Sequence, residues 1–203
     1  PGSKIVSTKK LPLFDAEEWT LENGAKVVFR KADFEKDQVQ VASYSKGGTS
    51  LYDVDKLASA MVATQFIGAY GLGDYDAITL RKLLTGKQAN SAVSIGGLSE
   101  SVGGASTPND FETMMQLIYL RFEKPRFDKE VHNTMMQRNY AAIENSANNP
   151  QKIMQDSISM IMSNYSKRNL IFNKEFLDKI SLEQIEEIYR DRIKDISDFT
   201  FFI

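Results

Sequence analysis

The sequence contains no cysteine and only one histidine, His132, among its 203 residues. Without cysteine there is no disulfide, no thiolate-bound zinc, no iron–sulfur cluster and no thiol nucleophile. With one imidazole, any site that needs two histidines from this chain is excluded. A Ser–His–Asp triad is possible only if His132 is its base. The sequence therefore argues against self-contained hydrolytic chemistry.

Long apolar runs and an excess of positive charge are also missing. The most apolar window, residues 61–73, is interrupted by Thr64, Gln65 and three glycines, so we predict no membrane span. The net charge of −2 offers no basic surface for a nucleic-acid partner. The 42% of hydrophobic residues is ordinary for a folded domain, so a sizeable core is expected.

The two ends of the sequence resemble cut points in a longer chain. Residues 1–3 have neither an initiator methionine nor a signal sequence, and they resemble the remnant of a removed expression tag. At the other end, residues 199–203 form an apolar, β-prone run with no polar tail. We therefore predict a piece of a longer protein, with residues 1–18 as tag remnant and extended lead-in and residues 19–203 as a single domain.

The hydrophobic pattern predicts an α+β fold. Strands are expected over residues 26–31 and 38–45 around a charged turn at 33–37, in a hairpin of strands 88–95 and 98–105, and at 199–203. Helices are expected over residues 53–70 and 76–84 and through most of 107–192. This order predicts an antiparallel or mixed sheet of about five strands with helices packed on one face.

Few residues invite a catalytic interpretation. Asp128 and His132 lie four residues apart at the start of a helix, so His132 could be a general base that Asp128 orients. We favour the other interpretation, in which Asp128 is the N-cap of the helix and His132 is an exposed neighbour. The Gly71–Gly73 loop lacks the lysine and hydroxyl residue of a phosphate-binding loop. Seven methionines lie at helical spacing among leucine and isoleucine, and we expect them to pack in the core rather than form an adaptable binding surface: Met114, Met115, Met135, Met136, Met154, Met160 and Met162.

Residues 21–27, Leu-Glu-Asn-Gly-Ala-Lys-Val, are followed by a strand that ends in Gly47-Gly48 and then by a helix. This arrangement resembles the pitrilysin/insulinase family of inverzincin zinc peptidases. Further loose matches follow in the same order at residues 83–87, 99–112, 125–128 and 180–185, so the resemblance spans residues 19–203. It implies a peptidase-like α/β roll, four of which, in two halves, enclose a peptide-degrading chamber.

In the catalytic domains of that family, the first long helix carries H-x-x-E-H, whose histidines bind zinc. The corresponding residues here, 55–64, include neither histidine nor glutamate. Glu144 is a candidate counterpart of the third ligand, but a lone carboxylate cannot hold zinc. The resemblance therefore implies no catalytic and no metal-binding residue in this chain. It implies a non-catalytic domain of a long-chain bacterial peptidase whose zinc lies in another domain of the parent.

The strand from Gln88 to Ser94 resembles the strand that pairs with the substrate backbone in catalytic domains. Ala89, Asn90, Ser91 and Ala92 are therefore the expected contacts with a peptide substrate, and an ordinary internal strand is the alternative. Other domains of the same chain are the expected partners. There are two rival interpretations. The chain could be a non-enzymatic assembly or scaffold subunit, or it could be a zinc-free subunit that works beside a separate catalytic chain. Because long-chain bacterial members of this family are often exported, the resemblance favours the periplasm as the location of this protein.

Overall fold

The computed structural model describes residues 3–32 and 35–203. Pro1 and Gly2 of the expected tag remnant, and Asp33 and Phe34 of the expected charged turn, lie outside the described residues. The strands are β1 (Ile5–Leu11), β2 (Ala16–Leu21), β3 (Lys26–Phe29), β4 (Val39–Lys46), β5 (Ala92–Ile95), β6 (Ser99–Ser106) and β7 (Thr200–Phe202). The helices are α1 (Val54–Tyr70), α2 (Ala77–Leu83), α3 (Phe111–Glu123), α4 (Lys129–Ser146), α5 (Pro150–Met162), α6 (Lys174–Asp178) and α7 (Leu182–Arg192).

The strands form one mixed sheet in the order β1-β2-β3-β7-β4-β6-β5. Neighbouring strands are antiparallel except β3 and β7, which are parallel. The predicted α+β class is confirmed, with two strands more than the five expected.

The two unpredicted strands are β1, which lies within the expected lead-in of residues 1–18, and β2, which begins in it and extends three residues beyond it. Residues 5–10 of β1 are all exposed, and every residue of β2 is partly exposed. A strand that buries neither face does not alternate between apolar and polar residues, and this alternation is the signal that reveals strands in a sequence. The hydrophobic pattern of the sequence therefore could not predict the antiparallel pair of β1 and β2.

Helices cover one face of the sheet and leave the other open. Along β4, Val41, Ser43 and Ser45 are buried, whereas the alternate residues from Gln40 to Lys46 are exposed. The buried face joins a core with Phe66 of α1, Met114 of α3 and Ile188 of α7. This is the period-two pattern of an antiparallel sheet with one solvated face.

Helix α5 departs from the expected packing. Met114 is fully buried, as predicted for the methionines, but Met154 and Met162 of α5 are 60% and 83% exposed. The prediction of core packing is wrong for these two residues, because α5 turns its apolar side outward. No described helix is long and apolar enough to cross a membrane.

Candidate functional site: the outer edge of the sheet

The four predicted contact residues lie at an edge of the sheet. Strand β5 is terminal in the strand order and pairs with β6 alone, with Ala92 opposite Gly103. Ala89 extends this pairing through a single bridge to Ser106, and the Asn90 N–H donates to the Ala105 carbonyl at 3.0 Å. Strand β5 is thus an edge strand of the described sheet, and both contact of these residues with a peptide and the alternative of an ordinary structural strand stay predictions.

The outer edge of β5 presents backbone groups that β6 does not use. The Asn90 N–H bonds to Ala105, and the Gly96 N–H bonds to Ser99 at 2.8 Å. Because bonded positions alternate in an antiparallel pair, the N–H and C=O groups of residues 91, 93 and 95 point away from β6. These outward groups are where an added strand would bind.

Two side chains from the helical layer bind parts of this edge. Thr64 of α1 accepts the Ile95 N–H at 2.9 Å through its hydroxyl oxygen. Arg121 of α3 donates to the Ser91 carbonyl at 3.0 Å and to the Ser91 hydroxyl at 3.1 Å. In the part of the chain that the structure describes, no hydrogen bond from a side chain or a loop reaches the N–H or C=O of Val93. The edge is thus partly occupied at its two ends and free at its centre.

The sequence analysis missed Thr64 and Arg121. A signal existed for Arg121, because it lies three and four residues after Ile118 and Leu117, on the apolar face of α3. A charged residue at such a position needs a hydrogen-bonding partner. Burial lowers the pKa of Arg121 from its ordinary value, although the nearby Tyr189 opposes this. For Thr64 the sequence carries no comparable signal, since threonine on a helix needs no partner.

Helix α1 forms the wall beside this edge. Met61, Gln65 and Gly68 are the exposed residues of α1 from Met61 to its end, and Thr64 lies on the same side of the helix. No atom lies within 4 Å of the position that a Cβ on Gly68 would occupy. Gly68 lies one helical turn beyond Thr64, which bonds to β5, so the open space at Gly68 is on the side of α1 that carries this contact.

This wall is where the family resemblance would place zinc ligands. The exposed residues Met61, Gln65 and Gly68 offer one thioether, one amide and no imidazole or carboxylate; the exposed carboxylate of α1, Asp55, lies in its first turn. The described residues contain no group of three or more histidine, cysteine, aspartate or glutamate side chains that could hold a metal ion. Glu144, the candidate third ligand, is exposed on α4.

The hairpin that ends in this edge is held by a buried carboxylate. Glu100 of β6 is 2% exposed and accepts the Gly48 N–H at 2.6 Å and the Ser45 hydroxyl at 3.1 Å. Arg192 of α7 lies 3.6 Å from the same carboxylate. The loop after β4 also contacts the turn between β5 and β6, since the Thr49 N–H donates to the Gly96 carbonyl at 2.8 Å. This network positions β5 against the start of α1.

The Asp128 and His132 pair does not form a catalytic dyad. Asp128 caps α4 as predicted, accepting the N–H groups of Glu130 and Val131, and its carboxylate also binds Arg126 at 2.7 Å. His132, however, is buried at 7% exposure, and its Nδ1 lies 2.9 Å from the Tyr70 hydroxyl. The expectation of an exposed histidine is wrong, because α1 and α4 pack together at this point. The pair stabilises the core.

Buried His132 should make the stability of the protein depend on pH. Burial lowers its pKa, with a weaker opposing effect from Glu183. The unfolded chain therefore takes up a proton first, at a pH of about 6.5. Stability is fully present above that pH and falls as the pH drops towards the lower pKa of the folded state. We expect this loss in urea unfolding series at pH 7, 6 and 5.

The matched variant for this prediction is His132→Asn. Asparagine keeps an acceptor near the position of Nδ1 for the Tyr70 hydroxyl but does not titrate. Its stability should change less than that of the parent protein between pH 7 and 5. An equal loss in both proteins would assign the pH dependence to other groups.

Sequence comparison identifies no relative. No protein-family model matches the sequence, and no curated protein matches it either. Structure comparison gives clear matches at low sequence identity. The periplasmic protease PqqL from Escherichia coli superposes with a TM-score of 0.83 at 17% identity, over 100% of this chain and 22% of that protein. The ferredoxin protease FusC, solved with Arabidopsis ferredoxin, gives a TM-score of 0.80 at 15% identity, over 100% of this chain and 22% of that protein.

A third match bears on the absent zinc ligands. An inactive domain of peptidase M16 from Pseudomonas fluorescens superposes with a TM-score of 0.68 at 15% identity, over 92% of this chain and 46% of the other. The chain thus spans about a fifth of the length of the two proteases. At these identities the likeness shows the fold. This chain has the fold of one domain of the pitrilysin-type M16 peptidases.

Proposed function

We propose that this chain is a non-catalytic, chamber-forming domain of a zinc-dependent metalloendopeptidase and contacts the peptide substrate. The observation that supports this most directly is the outer edge of β5, where the backbone of Val93, itself 7% exposed, has outward groups with no hydrogen-bond partner among the described residues. The wall of α1 beside this edge offers no metal-binding group among the described residues. The hydrolytic zinc would then lie in another domain of the parent protein.

The edge suits an extended peptide. A peptide strand aligned with β5 would exchange backbone hydrogen bonds with the N–H and C=O of Val93 and would also reach the Ser91 N–H. Backbone pairing of this kind selects extended conformation rather than sequence. The Thr64 and Arg121 side chains at its two ends limit the length of the pairing to about three residues.

The open face of the sheet supports the role of a chamber wall. Ala92 and Ser94 of β5 and the exposed residues of β4 lie on this face, which the helices leave uncovered. Other domains of the same chain are the partners that would close the chamber around it. The periplasm is the compartment we propose, in agreement with the location of PqqL.

Peptide binding to the isolated chain tests the proposal. The probe is a pool of proline-free peptides of about ten residues, added to isotope-labelled protein and followed by NMR. We expect weak binding, with dissociation constants of about 0.1–1 mM because the pairing is short. The amides of Ser91 and Val93 should shift and exchange more slowly with solvent.

Two variants at one position provide the control. Gly68→Trp fills the open space beside the edge and should abolish binding. Gly68→Ala adds one methyl group, should leave binding intact and should stabilise α1 by about 1 kcal/mol. Peptides should remain uncleaved, with or without added zinc, when examined by mass spectrometry.

The outcomes separate the rival interpretations. Binding that is unaffected by Gly68→Trp, or shifts on other surfaces, would contradict the edge as the contact site. A complete lack of binding at millimolar peptide would favour the scaffold subunit. Zinc-dependent cleavage by this chain alone would overturn the non-catalytic assignment.

A further inference from the structure

Helix α5 turns its apolar side towards solvent, whereas an amphipathic helix normally packs that side against its own domain. Five of its apolar side chains are 47–83% exposed, and Tyr165 in the following turn is 66% exposed; the five are Ile153, Met154, Ile158, Ile161 and Met162. None of its residues is buried. We call these six residues the α5 apolar face.

The inward side of α5 is polar instead. Lys152 and Asp156 form an ion pair there. The Asn169 side chain donates to the Ser159 carbonyl at 3.0 Å and to the Ser163 hydroxyl at 2.9 Å. At 100° per residue, these positions cluster opposite the apolar face. The ion pair lies within α5 and the Asn169 contacts join α5 to the segment that follows it, and the apolar face has no partner within the described residues.

A helix in this position needs a partner to be stable. Isolated helices of 13 residues are marginal in water, and most helical stability in proteins comes from packing of an apolar face. Single exposed apolar residues are common, but six on one contiguous face indicate an interaction site.

We propose that a second copy of this chain covers the α5 apolar face, through antiparallel pairing of the two α5 helices about a two-fold axis. The uncharged residues Gln151, Gln155, Ser157 and Asn164 lie among or beside these side chains. The charges of Lys152 and Asp156 neutralise each other on the opposite side of α5. Two identical surfaces therefore meet without repulsion between like charges, as a two-fold interface requires.

The extent of the face agrees with a dimer. Covering the six side chains on both copies would remove on the order of 1,200 Å² of surface from water, at the lower end of the range for stable specific interfaces. Met154, Ile158 and Ile161 follow the spacing of four and three residues that lets side chains of paired helices interdigitate. In an antiparallel pair, Ile158 of one copy lies near Ile161 of the other, at the centre of the contact.

Analytical ultracentrifugation of the 203-residue chain tests this inference. We expect a dimer at about 100 µM that dissociates towards about 1 µM. Ile161→Asp places a charge at the centre of the contact and should raise the dissociation constant at least about 30-fold. Its circular dichroism should lose at most the signal of α5, because Ile161 is 62% exposed and lies outside the core of the domain.

The matched control is Ile78→Asp on α2. It makes the same substitution at an isoleucine that is 66% exposed but lies outside the α5 apolar face. The dissociation constant should be unchanged. Because the protein has no cysteine, the double variant Ile158→Cys/Ile161→Cys provides a second measurement: it should form intermolecular disulfides under mild oxidation, and Ile78→Cys should not.

Three results would overturn the inference. They are a monomer at about 500 µM, a dimer that Ile161→Asp leaves intact, and binding of the monomer to anionic lipid vesicles through α5, which would make a membrane surface the partner. The dimer does not depend on peptide binding at β5. Failure of either proposal is visible separately, because Gly68→Trp should change peptide binding and not the dimer, whereas Ile161→Asp should change the dimer and not peptide binding.

Discussion

Gly48→Ala should lower the free energy of unfolding by about 3 kcal/mol. Gly48 has a φ of +65°, which non-glycine residues rarely adopt. A Cβ there would also lie 2.7 Å from the Ser99 nitrogen and 2.8 Å from the Gly97 carbonyl carbon, and closer still to the Gly96 carbonyl oxygen. All of these are backbone atoms, so the turn between β5 and β6 would have to move.

Gly86→Ala is the control for this prediction. Gly86 has a φ of +83°, but no atom lies within 4 Å of the position of its Cβ. Gly86→Ala should therefore lower the free energy of unfolding only through backbone strain, by about 1 kcal/mol. Urea unfolding at pH 7 measures both values. Equal losses in the two variants would show that close packing of the two loops contributes nothing.

Gly48→Ala also has a functional consequence. The Gly48 N–H binds Glu100, and the neighbouring backbone holds the end of the hairpin that contains β5. If this loop shifts, the outer edge of β5 shifts relative to α1. We expect the peptide-induced shifts at Ser91 and Val93 to disappear in Gly48→Ala at temperatures where the variant is still folded.

Glu100→Ala should also destabilise the protein by about 3 kcal/mol, because its removal leaves several buried groups without a partner. The Gly48 N–H and the Ser45 hydroxyl lose their acceptor, and Arg192 loses one of its two acidic neighbours. Arg192 keeps its contact with Asp191 at 2.8 Å, which limits the loss.

Ser45→Ala is the matched comparison for Glu100→Ala. It removes one hydrogen bond to the same carboxylate and leaves the Gly48 N–H and Arg192 in place, so the expected loss is about 1 kcal/mol. Chemical denaturation of both variants provides the measurement. If Glu100→Ala were no more harmful than Ser45→Ala, the carboxylate would not be the centre of the network.

The sequence analysis succeeded where a residue's role depends on its near neighbours along the chain. Helix α1 was predicted within one residue of its observed start, because its apolar spacing is regular. Asn149 accepts the N–H of Gln151 at 3.0 Å and caps α5 ahead of Pro150, which its cap-then-proline order predicts. Asp128 caps α4 for the same local reason.

It failed where the role depends on distant contacts. His132 has a polar neighbourhood in the sequence, and its burial follows only from the packing of α1 against α4. The β1 and β2 strands bury neither face, so they lack the alternating pattern. Helix α5 has a regular apolar stripe, but a stripe does not say whether its partner is the rest of the domain or another molecule.

The sequence by itself determined that this chain has no zinc site of the H-x-x-E-H type, since α1 has no histidine and the whole chain has one. It also determined the α+β class, because apolar spacing distinguishes helices from half-buried strands. Only the tertiary structure decided that β5 is an edge strand, with outward backbone groups at Val93 that have no partner in the described part of the chain, and that the apolar side of α5 faces outward. Strand order and helix orientation depend on contacts between residues far apart in the chain, and periodicity in the sequence carries no information about them.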